Sequence, residues 1–206
     1  MTIRSVVGAS EGYGSSRFSI SAANPYANHG EFYPIATVTV GSGGASSIEF
    51  TSIPGTYQHL QIRGIFKSTN AASSANQMKV RLNADSGTNY SQHYLLGTGA
   101  SASAGGAASQ TSGEAGYIPF TSNFGYSTDR FGAAVIDLLD YANTSKNTTT
   151  RSFWGFDFNF DGSTPGWVGL SSSAWLSSSA VTSITFTTTN NFAQFTTAAL
   201  YGLRAP

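Results

Sequence analysis

The sequence contains no cysteine. That absence excludes disulfides, thiolate metal sites and cysteine nucleophiles together. Charge is nearly as scarce: 10 Lys and Arg balance 10 Asp and Glu in 206 residues, for a net charge of zero. The cations, from Arg4 through Arg63, Lys67 and Arg130 to Arg204, are scattered rather than clustered. A nucleic-acid binder needs clustered Lys and Arg to displace phosphate counterions, so no nucleic-acid partner is expected. An anionic membrane surface asks for a similar cluster. No run approaches the ~18 apolar residues of a spanning helix, so membrane insertion is not expected either. No signal-peptide pattern follows Arg4, and the expectation is a cytosolic protein or one released by lysis.

Chemical signatures are equally thin. Histidine occurs only as His29, His59 and His93. A Ser-His-carboxylate triad needs an exposed nucleophile, and no Gly-x-Ser-x-Gly elbow opens a helix. His59 and His93 read as structural, hydrogen-bonding histidines. The pairs Asp137 with Asp140, and Asp157 with Asp161, have the residue type of a glycosidase acid pair. Asp157 and Asp161 share the parity opposite a run of aromatics, however, which reads first as an outward polar face. Asp85-Ser86-Gly87-Thr88-Asn89 offers oxygen atoms to a calcium ion, but the EF-hand spacing is missing and a turn is the better reading. Phosphate-loop and dinucleotide fingerprints are also missing. The expectation is a non-enzymatic protein with no catalytic, cofactor-binding or metal residues.

What the sequence does have is glycine, small polar residues and a period of two. Residues 1–33 are rich in Gly, Ser, Ala and Asn, yet carry Tyr13, Phe18, Ile20, Tyr26, Phe32 and Tyr33. A flexible linker would not contain aromatics in this way. The segment reads as an extended docking arm, with residues 34–206 as the folded domain. From Pro34 onward apolar residues alternate: Ile48 and Phe50; Leu60, Ile62 and Phe66; Met78, Val80 and Leu82. These are half-buried strands with a wet outer face. Gly41-Ser42-Gly43-Gly44 reads as a hairpin turn. Gly97 to Gly113, almost wholly Gly, Ala and Ser, reads as a surface loop. Phe131 to Tyr141 fits either period, and its surroundings favour a strand. Trp154, Phe156, Phe158 and Phe160 share one parity and predict a core wall. About ten short strands with Gly- and Ser-rich turns imply an all-β, jelly-roll-like antiparallel β-sandwich.

The segment from Ile48 to Ile65 holds an alternating strand, then Ile53-Pro54-Gly55-Thr56-Tyr57-Gln58-His59-Leu60, then a second strand. Asn83-Ala84-Asp85-Ser86-Gly87-Thr88-Asn89-Tyr90 follows, then His93-Tyr94-Leu95-Leu96-Gly97. Asp140-Tyr141-Ala142-Asn143-Thr144 comes next, then Val181 to Phe186, and finally Leu200-Tyr201-Gly202-Leu203. This ordered series, with the leader Ser5 to Ser10, resembles virion surface proteins of tailed bacteriophages: tail-fibre, receptor-binding and capsid-decoration components. The resemblance covers most of residues 34–204. It implies a β-sandwich without catalytic residues, commonly a homotrimer, that binds other virion proteins of the tail or capsid. It also implies residence on the virion after assembly in the host bacterial cytoplasm. The run Phe153 to Phe160 and the stretch Tyr117 to Arg130 depart from the family pattern.

Three functions follow as expectations. A tail-associated adhesion protein attached through its arm comes first, and a capsid decoration protein second. A carbohydrate-binding module comes third, because Tyr117, Tyr126, Trp167 and Trp175 offer rings on which a host surface glycan can stack.

Overall fold

The structure, a computed structural model, describes residues 32–70, 75–120, 130–158 and 166–204. Those residues form twelve strands. The first six are β1 (Phe32–Thr39), β2 (Ala45–Phe50), β3 (His59–Phe66), β4 (Asn76–Leu82), β5 (Tyr90–Gly97) and β6 (Ala102–Gln110). The others are β7 (Gly113–Ile118), β8 (Gly132–Leu139), β9 (Thr148–Asp157), β10 (Gly166–Trp175), β11 (Ile184–Phe192) and β12 (Thr197–Leu203). No helix occurs among the described residues.

The strands make two antiparallel sheets. One has eight strands in the order β1-β12-β3-β8-β9-β10-β5-β6, and the other has four in the order β2-β11-β4-β7. Without the hairpins β5-β6 and β9-β10, the orders are β1-β12-β3-β8 and β2-β11-β4-β7. Eight strands that cross between two four-stranded sheets in this way form a jelly roll. The two hairpins are insertions. Both join the β8 side of the first sheet and widen it, while the second sheet keeps four strands. Tyr33–Gly202 form one compact unit; Met1–Phe32 with Leu203–Pro206 are assigned to another, of which Phe32, Leu203 and Arg204 are described.

The alternation seen in the sequence builds the core directly. Ile48, Leu60, Ile62, Phe66, Met78, Leu82, Ile184 and Phe186 are all buried between the sheets. Each such side chain contributes about 1.5–3 kcal/mol when fully removed from water. Trp154, Phe156 and Phe158 are buried as the aromatic parity predicts, and Phe160 lies outside the described residues. Residues 132–139 form a strand, β8, in line with the reading chosen for that segment.

Two expectations are corrected. Gly41 to Gly44 do make a turn, with the Gly44 amide donating to the Gly41 carbonyl at 3.3 Å and positive φ at Gly43 and Gly44. The flanking β1 and β2 belong to different sheets, so the turn is an inter-sheet corner and not a hairpin. Turn chemistry is local, whereas the strand's partner is chosen by distant residues. Second, Gly97 to Gly113 is not a surface loop: β6 occupies Ala102–Gln110 and pairs antiparallel with β5. The strand is held by backbone hydrogen bonds, and side chains of β5 cover its glycines. A Cβ at Gly105 would meet the Tyr94 ring at 2.7–2.9 Å, and one at Gly106 would meet the His93 ring at 2.3 Å. Aromatic cover of edge glycines stabilises such a strand although its own residues have poor β-propensity.

Candidate functional site

Four of the loop segments singled out in the sequence meet one another in space. The Tyr141 hydroxyl donates to the Pro54 carbonyl, and the Asp140 amide donates to His59 Nδ1 at 3.0 Å. The Val181 amide donates to the Tyr141 carbonyl at 2.8 Å. Asn83 Oδ1 accepts from the amides of Thr182 and Ser183, at 2.8 and 3.1 Å. Thus the β2–β3, β4–β5, β8–β9 and β10–β11 connections are tied together. Their polar residues serve as clamps between loops.

Asp85 illustrates this. Its Oδ1 accepts from the Gly87 amide at 2.8 Å, and its Oδ2 accepts from Asn89 Nδ2 at 2.9 Å and Trp175 Nε1 at 2.7 Å. Those donors, Trp175 first, hold the carboxyl below the usual carboxylate range. Both carboxylate oxygens of Asp85 therefore face N–H donors within a turn. Among the described residues no three His, Asp or Glu side chains gather as a metal-binding group. Asp140 likewise lies below its ordinary value, through Lys146 and Gln58 donating to it. Asp137 accepts from Gln61 at 2.7 Å and pairs with Arg151 at 2.9 Å.

The candidate glycan residues are divided. Tyr117 and Trp167 come together at 5.4 Å between ring centroids, half-buried in a cluster with Tyr94, Trp154 and Phe156. Burial pushes the Tyr117 hydroxyl up to about 12. Trp175 is elsewhere and only 4% exposed, with its ring against Tyr90 and its Nε1 given to Asp85. It is a core residue with no open face for a sugar. Tyr126 lies outside the described residues, as do Tyr13, Phe18, Ile20 and Tyr26 of the arm. The arm's last two residues are strand residues of β1: Phe32 is exposed, and the Tyr33 ring lies 5.8 Å from that of Tyr57.

Beneath the widened sheet is a polar cluster not anticipated from the sequence. Strand β7 packs under β9, β10 and β5. It places Glu114, 1% exposed, between the sheets. The Ser171 hydroxyl donates to Glu114 Oε1 at 2.6 Å, and Gln77 Nε2 donates to Oε2 at 2.6 Å. Trp154 Nε1 in turn donates to Ser171 Oγ at 3.0 Å. The backbone of Glu114 exchanges bonds with Ser173 Oγ, at 2.8 and 3.1 Å. Burial raises the Glu114 carboxyl, outweighing these donors and the charge of Lys79. These hydrogen bonds satisfy a buried carboxyl that would otherwise be costly, and so this cluster fixes β7 against β10.

The outer face of the same sheet exposes several large apolar side chains. The registers align its outward residues into rows running across the strands. One row reads Arg63, Val135, Phe153, Leu170, Leu95 and Ala104. The next reads Ile65, Ala133, Gly155, Val168, Gly97 and Ala102. Phe153 is 59% exposed, Leu95 54%, Val168 51% and Leu170 49%. Single exposed apolar residues are ordinary, but a contiguous block is not. Phe153 stands as a ridge between two open apolar troughs of about 310 and 320 Å³. Gly155 lies in the first, against Ala133, Val135 and Val168, and Gly97 lies in the second, against Leu95 and Leu170.

The inserted hairpins supply four of the six strands in these rows. One signal for this face is present in the sequence: Phe153 sits on the wet parity of β9, between Arg151 and Asp157, opposite the core-facing Trp154 and Phe156. Its alignment with Leu170, Leu95 and Val135 depends on pairing across four strands. Comparison of the chain with family models, with curated proteins and with solved structures returned no match.

Proposed function

We propose that the chain is a non-enzymatic structural protein of a bacteriophage virion, exposed on the particle surface as a tail-associated adhesion component. In this reading the N-terminal arm, residues 1–33, docks it to other virion proteins, and a host surface glycan is the receptor. The observation that carries the reading is the convergence of the motifs. The segments around Pro54, Asn83, Tyr141 and Val181, which resemble virion surface proteins in order, interlock through side-chain and backbone hydrogen bonds. A resemblance scattered over unrelated loops would carry little. Here the segments concerned are joined to one another by hydrogen bonds. The jelly roll adds support, because it is a frequent architecture of capsid and lectin domains; support of this kind is analogy, since folds host many functions.

The test is to purify particles from a culture producing the protein, count its copies by quantitative mass spectrometry and place it by electron cryomicroscopy. A few copies at the tail are expected. Hundreds spread over the shell assign the capsid decoration role instead, and absence from the particles overturns the proposal. Removing residues 1–33 should leave the strand signature of the domain intact and abolish incorporation; a truncated protein that still incorporates overturns the docking role of the arm.

A further inference from the structure

We infer that the apolar outer face of the widened sheet is a two-fold contact between two copies of this chain. In it, β9 of one copy lies antiparallel across β9 of the other, with the axis passing over Trp154. The argument starts from the row pattern. A rotation about an axis running across the strands at residue 154 exchanges positions equally spaced on either side of it. Residue 153 then faces residue 155, and residue 151 faces residue 157. Each row of one copy is thus laid on the neighbouring row of the other.

The two rows are complementary in size over most of their length. Phe153 faces the trough at Gly155, Leu95 faces Gly97 and Val135 faces Ala133, while Leu170 faces Val168, two residues of similar size. Large residues meet small ones in three of these four strands, so ridges enter grooves at the spacing of packed sheets, about 10 Å. Because the contact is isologous, each pairing occurs twice.

Charge points the same way. Arg151, 65% exposed at its side chain, and the exposed Asp157 lie on the outward parity of β9, three residues on either side of 154. The rotation brings the guanidinium of each copy toward the carboxylate of the other, on both flanks of the apolar rows. Arg151 already shares Asp137 within its own chain, and a guanidinium carries five N–H donors, more than that pair uses. Asp157 likewise has an interaction within its own chain, so the contact between copies adds to existing interactions. The alternative axis, parallel to β9, stacks Phe153 on Phe153 and Arg151 on Arg151. That arrangement opposes ridge to ridge and like charge to like charge. A glycan is a poor occupant, because the two rows offer no hydrogen-bonding side chain between Arg63 and Ala104.

Six strands about 4.8 Å apart, and seven residues along β9, give a face roughly 24 Å by 20 Å, which is the size of a weak, transient contact and smaller than a standard stable interface. The pair is therefore concentration-dependent, and the high local concentration of a particle surface would favour it.

The contact is independent of the virion reading, since the purified chain alone tests it. Sedimentation equilibrium across a wide concentration range should show the mass doubling, from monomer to dimer or from trimer to hexamer. Phe153→Asp should weaken this step by about thirtyfold or more, as loss of a central aromatic anchor does. Arg151→Glu and Asp157→Arg should each weaken it, and the double exchange should restore it. Circular dichroism confirms that each variant is folded. A chain that never doubles its mass, a doubling indifferent to Phe153→Asp, or a double exchange no better than its single parents overturns the inference.

Discussion

Phe153 and Trp154 are adjacent aromatic residues of one strand, yet the first is 59% exposed and the second 1%. Trp154 stacks between glycines of two other strands. A Cβ at Gly116 of β7 would lie 2.4 Å from its Cδ1, and a Cβ at Gly169 of β10 would lie 2.4 Å from its Cζ2. Its N–H is spent on Ser171, which ties it to the buried Glu114. Phe153 stands over the other side of the same backbone between two open troughs. The difference teaches that the widened sheet has two jobs. Its inner face closes the sandwich against β7, and its outer face is left for contact.

The largest expected effect separates those two faces. Trp154→Ala should cost about 3–5 kcal/mol of folding stability, because it removes a fully enclosed indole from between two strands. Phe153→Ala should cost within ~0.5 kcal/mol in the dissociated chain, as exposed substitutions do. Urea midpoints of the two variants at low concentration check this, and equal losses would collapse the comparison.

Glycine sharpens it next. Gly116→Ala should cost about 1–3 kcal/mol from overpacking, with added strain from the positive φ of 121°. Gly97→Ala, on the outer face with nothing within 4 Å of the added carbon, should change folding by no more than ~0.5 kcal/mol. If both are neutral, the Trp154 enclosure is looser than described.

The smallest effect is a pH dependence confined to the inner face. Burial raises the Glu114 carboxyl above its ordinary 4.5. The folded state favours the neutral acid, so this contribution to stability is complete below about 4.5 and is lost as pH rises through the raised value. Asp85 and Asp140 are displaced the other way. Their contributions are present above the ordinary 3.8 and are lost as pH falls through their lowered values. Urea midpoints measured from acid to neutral pH should fall on the alkaline side in the native chain and stay flatter in Glu114→Gln, with the acid-side loss common to both. An identical alkaline slope in the variant would remove Glu114 as its source.

Much of the core was legible beforehand because side chains alternate along a strand whatever the strand pairs with. Leu60, Ile62, Met78, Val80 and Trp154 are buried on the parity that the sequence predicts. The Ala-, Gly- and Ser-rich β6 was not legible, because its order comes from backbone bonds to β5 and from the rings of His93 and Tyr94 above its glycines. Trp175 offered itself as an exposed ring for the same reason: nothing near it in sequence announces that its partners are Tyr90 and Asp85, some ninety residues earlier.

Composition and the period of two therefore settled, without coordinates, that the chain is all-β, has little charge, and turns one side of each strand inward. Those are local properties of the backbone and its side-chain pattern. Only the tertiary structure decided which sheet each strand joins and that both inserted hairpins widen one side of a jelly roll. It also decided that Phe153, Leu170, Leu95 and Val135 share one row. Such choices depend on hydrogen-bonded registers between segments far apart in the chain, and a strand's own residues do not name its neighbour.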